Sequence, residues 1–251
     1  MDENRQSLAS SFLSFALAIL AILTLRWLLV EPYVIPSGSM IPTLLIHDHI
    51  LVNKLAYGVR VPFTDRWLLK RDSPKRGEVV VFRFKEPYAP NSSEYFMIKR
   101  VIGIGGDKVE YSSDGELIIN GEPVPRTALP SPENGDQAPY YPATPADLGG
   151  PFDVFRFYEE TLDAGSYRVM FMKQSYRWSD RPFIVPDGHL FLMGDSRDNS
   201  KDSRAWGSWP EDKLLGRAMF VWLSCEETLP FLPFLCHPLK LRWNRFFHGI
   251  E

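Results

Sequence analysis

Two cysteines, Cys225 and Cys236, and five histidines are all the thiol and imidazole chemistry in this 251-residue chain. Two thiols make neither a disulfide framework nor a zinc site, which needs more ligands. They can pair with each other in an oxidising compartment, a question that sequence leaves open. A charge excess is also missing. The 28 basic and 31 acidic side chains leave a net charge of −3, so there is no electrostatic case for a nucleic-acid partner. His47, His49, His189, His237 and His248 lie in no histidine box, and no Gly-x-Ser-x-Gly elbow occurs. His47 and His49 read as sharing a strand face, with no carboxylate spacing to complete a metal site.

Long apolar runs are equally scarce, with one exception, Ser11 to Val30. Its 20 residues, at 1.5 Å each, span about 30 Å, the thickness of a bilayer's hydrocarbon core. A cleavable leader has a shorter apolar stretch and a small-x-small cleavage site, whereas bulky Glu31-Pro32-Tyr33 follows here. Arg26 lies near the end of the run and can snorkel to the interface beside Trp27. The expected organisation is a polar tail at 1–10 and a transmembrane anchor at 11–31, with everything later on one side of the membrane. Asp2, Glu3 and Arg5 give the tail no cationic excess, so charge does not set the orientation.

What is present is 45 % hydrophobic, with 21 prolines and 17 phenylalanines, a composition that leans toward strands and turns. Strands are expected at 46–52, 79–84, 95–102, 108–111, 152–158, 166–173, 183–185, 190–193 and 214–223. Asn120-Gly121, between 116–119 and 122–124, suits the type I′ turn of a hairpin. Residues 127–151 are rich in proline and read as a long exposed loop. The tail 231–247 mixes apolar with basic residues and can cap the fold or rest on a membrane.

Three stretches carry candidate chemistry. In Pro36-Ser37-Gly38-Ser39-Met40-Ile41-Pro42-Thr43-Leu44, two prolines fix φ around a glycine that can take backbone angles closed to its neighbours, presenting Ser37 and Ser39 in set directions. A serine nucleophile needs a base, and Lys99 is a candidate because strand alternation puts it on an apolar side with Met97 and Val101. Desolvation lowers a lysine pKa, although snorkelling or pairing with an acid is the ordinary fate of a strand lysine. The third stretch, Gly194–Arg204, holds three aspartates, three serines, two arginines and an asparagine directly after an apolar strand. Such side chains serve tight turns, or a buried polar network beside a site. Asp202 and Arg204 are spaced as a same-side ion pair on an extended segment.

Taken in order behind an anchor, Pro36–Leu44, Arg76–Phe82, Lys99–Val109 and Gly194–Arg204 resemble the boxes of the bacterial type I signal peptidases, membrane-anchored serine proteases. The resemblance implies a mostly β fold, a catalytic core at 32–110 and 187–251 and a smaller variable β domain inserted at 111–186. It implies a Ser/Lys dyad of Ser39 as nucleophile and Lys99 as general base. Ser37 and the Ser39 N–H would form the oxyanion hole. Ser200 would orient the lysine, supported by the Asp202–Arg204 pair. Ile35, Pro36, Met40, Val81 and Ile98 would line shallow pockets for small residues before the scissile bond. Neither metal nor cofactor is implied. Secretory preproteins and the lipid bilayer would be the partners, with the enzyme in the bacterial cytoplasmic membrane and its catalytic domain outside. Ser196 and Met97 depart from the family's usual asparagine and aromatic. A different Ser/Lys processing protease, or a non-enzymatic anchored β protein, would share parts of this pattern.

Overall fold

The computed structural model describes residues 12–20, 24, 28–61, 64, 66–86, 89, 91–112, 115–130, 144–174 and 181–250. The expected tail 1–10 and parts of the expected anchor lie outside these. Residues 12–20, 24, 28 and 29 are helical. Among the described residues no helix is long and apolar enough to cross a membrane.

The protein is built from β-sheets, as expected. The largest has eight strands, running in the order Val30–Val34, Asp48–Asn53, Leu214–Ser224, Val79–Phe84, Tyr95–Ile104, His189–Met193 and Trp209–Pro210, with His248–Gly249 paired to Leu214–Ser224. Neighbours along this path are antiparallel. Sequence alternation explains why Val79–Phe84 sits in the middle. Val79 and Val81 enter one apolar cluster, while Val80, Phe82 and Phe84 enter another, so both faces of the strand are covered. An apolar run is what such a strand requires, and here it is interrupted by the exposed Arg83.

A three-stranded sheet (Arg126–Leu129, Phe155–Leu162, Gly165–Met172) and a four-stranded one (Phe183–Ile184, Lys108–Tyr111, Leu117–Ile119, Glu122–Pro123) hold the described strands of 111–186. The expected boundary at 110/111 falls inside the strand Lys108–Tyr111. Core packing crosses it as well, since Ile102, Phe191 and Met193 of the large sheet share a cluster with Tyr111, Leu117, Tyr167 and Phe171. The Asn120-Gly121 turn forms, both residues having positive φ. Residues 131–143 of the expected loop lie outside the described residues. The loop's flanks are more ordered than expected: Arg126–Leu129 is a strand and Pro145–Leu148 a short helix, started by a Thr144–Asp147 capping box. The 152–158 prediction begins one turn too early, because Phe152–Val154 is a 3₁₀ turn before the strand Phe155–Leu162.

The C-terminal stretch folds back on the large sheet. Cys225 and Cys236 are joined as a disulfide with a Cα–Cα separation of 5.6 Å, which settles the question left open above. The bridge closes the hairpin Thr228–Leu229/Leu232–Cys236. His47 and His49 do not share a strand face. His47 precedes the strand with φ +66°, and the two rings contact the carbonyls of Glu226 and Phe234. Further on, Arg245 is fully buried and holds Asp48, whose carboxylate also accepts from Leu45 N (2.8 Å) and Ser224 Oγ (2.6 Å). The same guanidinium donates to the Thr43 carbonyl at 3.0 Å. The tail thus fastens the turn that follows Ser39.

Candidate active site

The Gly38–Met40 segment is a single 3₁₀ turn between the edge strand Val30–Val34 and the buried residues Ile41, Leu44 and Leu45. Ser37 precedes it in extended conformation, and its side chain makes no capping bond to the turn. Gly38 does not use a left-handed backbone angle, contrary to expectation. A Cβ there would lie 2.9 Å from Ile41 Cδ1, so what the glycine supplies is room. Met40 is buried, its carbonyl accepts from Leu44 N, and Ser39 is left half-buried at the surface of the core.

Lys99 lies opposite Val80 in the strand Tyr95–Ile104 and is 2 % exposed. Met97 and Val101, two residues to either side, pack in the cluster with Val80, Leu190 and Leu192. Its Nζ donates to Ser39 Oγ at 2.6 Å and to the Ile98 carbonyl at 2.9 Å. Burial drives its pKa down to about 8. The charges of Asp202 and Asp195 oppose that fall, and that of Arg204 adds to it.

The segment Gly194–Arg204 emerges from the neighbouring strand, which explains how residues about a hundred positions apart in sequence meet. Gly194 is the point of closest approach. A Cβ on it would be 2.3 Å from both the Ser39 carbonyl and Ser200 Oγ, so no larger residue fits without moving one of them. Ser196 N donates to the same Ser39 carbonyl at 3.2 Å. The Asp202–Arg204 pair forms, bidentate at 2.8 and 2.7 Å, and nearly buried. It does so at a helix start rather than on an extended segment. Asp202 caps the four-residue helix Ser203–Trp206 and also accepts from Gly194 N at 3.0 Å. Ser200 is buried beside Gly194, but its Oγ has no hydrogen-bond partner among the described residues, and the second acceptor of the lysine amine is a carbonyl.

Of the expected pocket residues, Ile35, Met40, Val81 and Ile98 share one buried cluster with Leu44 and Val79. Pro36 is exposed beside them.

Sequence reasoning missed a second charged layer behind this contact. Arg100, fully buried, forks onto Asp195 at 2.8 and 2.7 Å, donates to the Gly77 carbonyl at 2.6 Å and lies over the Tyr167 ring at 3.9 Å. Thr43 Oγ1 donates to the same Asp195 at 2.5 Å. Arginine directly after the lysine was visible, but nothing local pointed to its partner. Among the described residues no group of three metal-ligating side chains occurs.

The chain matches the family model described as signal peptidase, peptidase S26, over residues 8–223. It is 41 % identical over 232 residues to signal peptidase I of Pseudomonas fluorescens, covering 88 % of this chain and 74 % of that protein. For signal peptidase I of Pseudomonas aeruginosa the identity is 39 % over 225 residues, covering 85 % and 72 %. A crystal structure of a signal peptidase I from Enterococcus faecalis is 24 % identical, covers 58 % of this chain and 97 % of that one, and superposes with a TM-score of 0.29, too loosely to compare sites. A β-rich chain with these relatives is a serine-type peptidase, a hydrolase acting on peptide bonds. It belongs to the signal peptidase family, peptidase S26.

Proposed function

We propose that this protein is a membrane-bound endopeptidase that removes N-terminal signal peptides from exported precursor proteins with a Ser39/Lys99 dyad. The observation that carries the reading is the 2.6 Å contact between Lys99 Nζ and Ser39 Oγ, made by a lysine that burial has brought toward neutrality. Neutral Lys99 takes the Ser39 proton as Oγ attacks the scissile carbonyl, then returns it to the departing amine. Water hydrolyses the acyl-enzyme by the same proton relay in reverse. The Ser39 N–H and the Ser37 hydroxyl stabilise the tetrahedral oxyanion. Ser200, Asp202 and Arg204 support the lysine. The pockets at Ile35, Pro36, Met40, Val81 and Ile98 accept small residues before the cleaved bond, a role that the shared apolar cluster of four of them supports.

The base must be unprotonated, so kcat/KM falls about tenfold per pH unit below a limb near 8. A panel of secretory precursors cleaved in detergent across pH measures this. A limb near the ordinary histidine value of about 6.5, lost when one histidine is replaced, overturns the assignment.

We further place 11–31 in the bacterial cytoplasmic membrane as a single-pass anchor. The core (32–110 and 187–251) and the inserted 111–186 domain then lie on the extracytoplasmic side, and the tail 1–10 inside. The Cys225–Cys236 disulfide supports an oxidising compartment. Phe231, Leu239, Trp243 and Phe247, each more than two-thirds exposed, support contact between the tail and lipid. In liposome flotation the full chain is expected to rise with the vesicles and to resist alkaline carbonate extraction. Release by carbonate counts against the anchor.

A further inference from the structure

Behind the serine–lysine contact lies a buried ion pair that the mechanism above does not use. Glu160, on the strand Phe155–Leu162, is fully buried, and both its oxygens accept from the guanidinium of Arg197, at 3.0 and 2.5 Å. Tyr167 donates to the same carboxylate at 2.9 Å, and Arg197 also donates to Tyr111 Oη at 2.7 Å. Arg100 stacks on the other side of the Tyr167 ring. Among the described residues, the side chains that hydrogen-bond to the pair are thus those of Tyr111 and Tyr167.

A buried pair of this kind does not repay its desolvation by much, and well-packed apolar side chains of similar volume serve stability as well or better. Its placement is informative instead. Arg197 belongs to the Gly194–Arg204 segment, and Glu160 to the sheet formed by 111–186. The backbone N–H of Arg197 donates to the Met170 carbonyl at 2.9 Å, and Met170 N–H to the Asp195 carbonyl at 2.9 Å, so a single parallel bridge ties the segment to the strand Gly165–Met172. The carbonyl of Arg197 accepts from Arg204 Nη2 at 2.6 Å. Arg204 holds Asp202, Asp202 holds Gly194 N, and Gly194 is in contact with the Ser39 carbonyl. Glu160 is therefore linked to both dyad residues by a continuous series of direct bonds and contacts.

We infer that Glu160 is a positioning residue for the proposed peptidase reaction: by neutralising and orienting Arg197 it sets where the Gly194–Arg204 segment meets Ser39. The smaller sheet, on this inference, supplies part of the catalytic geometry instead of merely decorating the core. Arginine stays charged in any protein environment, so without Glu160 its cation is buried with the Tyr111 hydroxyl as its remaining hydrogen-bond partner among the described residues. The segment then has to shift to solvate it.

The inference rests on the Ser39/Lys99 reading, and the test separates the two. Glu160→Gln keeps the shape and removes the charge. Cleavage of a secretory precursor is expected to lose at least about tenfold in kcat, with KM within about twofold, because the chemistry is misplaced while the apolar pockets are untouched. The acid limb of the pH–rate profile is expected to move to lower pH, since an uncompensated Arg197 adds positive charge to that of Arg204 against Asp195 and Asp202. A second variant, Glu160→Leu with Arg197→Met, refills the site with apolar volume and is expected to melt at or above the parent temperature while its kcat stays low. Parent kcat and an unmoved limb in Glu160→Gln overturn the inference. So does full recovery of kcat in the double variant, which means that the pair only filled space, and the double variant decides if Glu160→Gln does not fold. A Ser39→Ala control that still cleaves overturns the dyad itself. An inactive control beside a fully active Glu160→Gln overturns only the positioning role.

Discussion

Ser39→Ala and Lys99→Met are each expected to lower precursor cleavage in detergent by at least about 10⁴-fold, with the protein still folded. Alanine removes the one side-chain oxygen to which the lysine amine donates among the described residues. Methionine fills the lysine channel between Met97 and Val101 but cannot carry a proton. The two losses should not add in Ser39→Ala/Lys99→Met, because residues that act on one proton fail together. Lys99→Met carries a second signature. The native lysine has its pKa lowered from 10.5 to about 8, so between those values the unfolded chain binds more protons than the folded one. Stability of the parent therefore rises with pH through that window, by an amount on the order of 3 kcal/mol. In Lys99→Met that rise should vanish, and at pH 7 the variant should be no less stable than the parent. Chemical denaturation at pH 7 and pH 10 reads this directly. Cleavage retained by either variant, or a Lys99→Met protein that keeps the pH-dependent rise, contradicts the assignment.

Gly194→Ala should produce the next largest effect. Its Cβ would lie 2.3 Å from the Ser39 carbonyl and from Ser200 Oγ, well inside contact distance, and the first of these is backbone. Either the 3₁₀ turn carrying Ser39 or the segment after Met193 must move by roughly an ångström. Misplacement on that scale costs about 10²-fold in rate when reacting groups are already aligned. We expect kcat to fall by that factor or more and KM to change less, because Val81 and Ile98 stand on strands away from the clash, while Met40 belongs to the turn. Gly150→Ala is the control: the nearest atom to its Cβ is 3.6 Å away, and kcat should be unchanged. Equal kcat for Gly194→Ala and the parent would mean that the approach of these two backbones does not matter to the reaction.

The two substitutions mark what could be read from sequence. Lys99 was legible only in part: alternation placed it on an apolar side, but a snorkelling or paired lysine fits that pattern too, its role came from the resemblance, and the strand is buried on both faces from Ile98 to Ile102. Asp202 and Arg204 were legible as a pair, but not the helix start that joins them, since two residues' spacing is compatible with either conformation. The Asn120-Gly121 hairpin was legible because turn chemistry is local. Illegible were the pairs that reach across the fold: Arg100 with Asp195, 95 residues apart, Glu160 with Arg197, 37 apart, and Asp48 with Arg245, 197 apart. Each partner is an ordinary charged residue in its own neighbourhood. Strand order in the large sheet and the packing of the three-stranded sheet and the C-terminal turn against it bring them together, and alternation determines neither. Ser200 shows the opposite limit. Its place beside the lysine came from resemblance, yet its hydroxyl is unbonded among the described residues and the amine turns to the Ile98 carbonyl.

The grip of Arg245 on Asp48 and on the Thr43 carbonyl has a consequence for the order in which the protein comes into being. A ribosome delivers Ser39 early, and some two hundred residues must follow before the cation that neutralises Asp48 exists. Until then Asp48 has no counter-charge at this turn, and a carboxylate is poorly kept inside a core without one. The peptide that bears the serine is thus made well before the side chain that fastens the turn after it. A nascent chain carries Ser39 and Lys99 well before it carries Arg245, the side chain that holds the turn after Ser39.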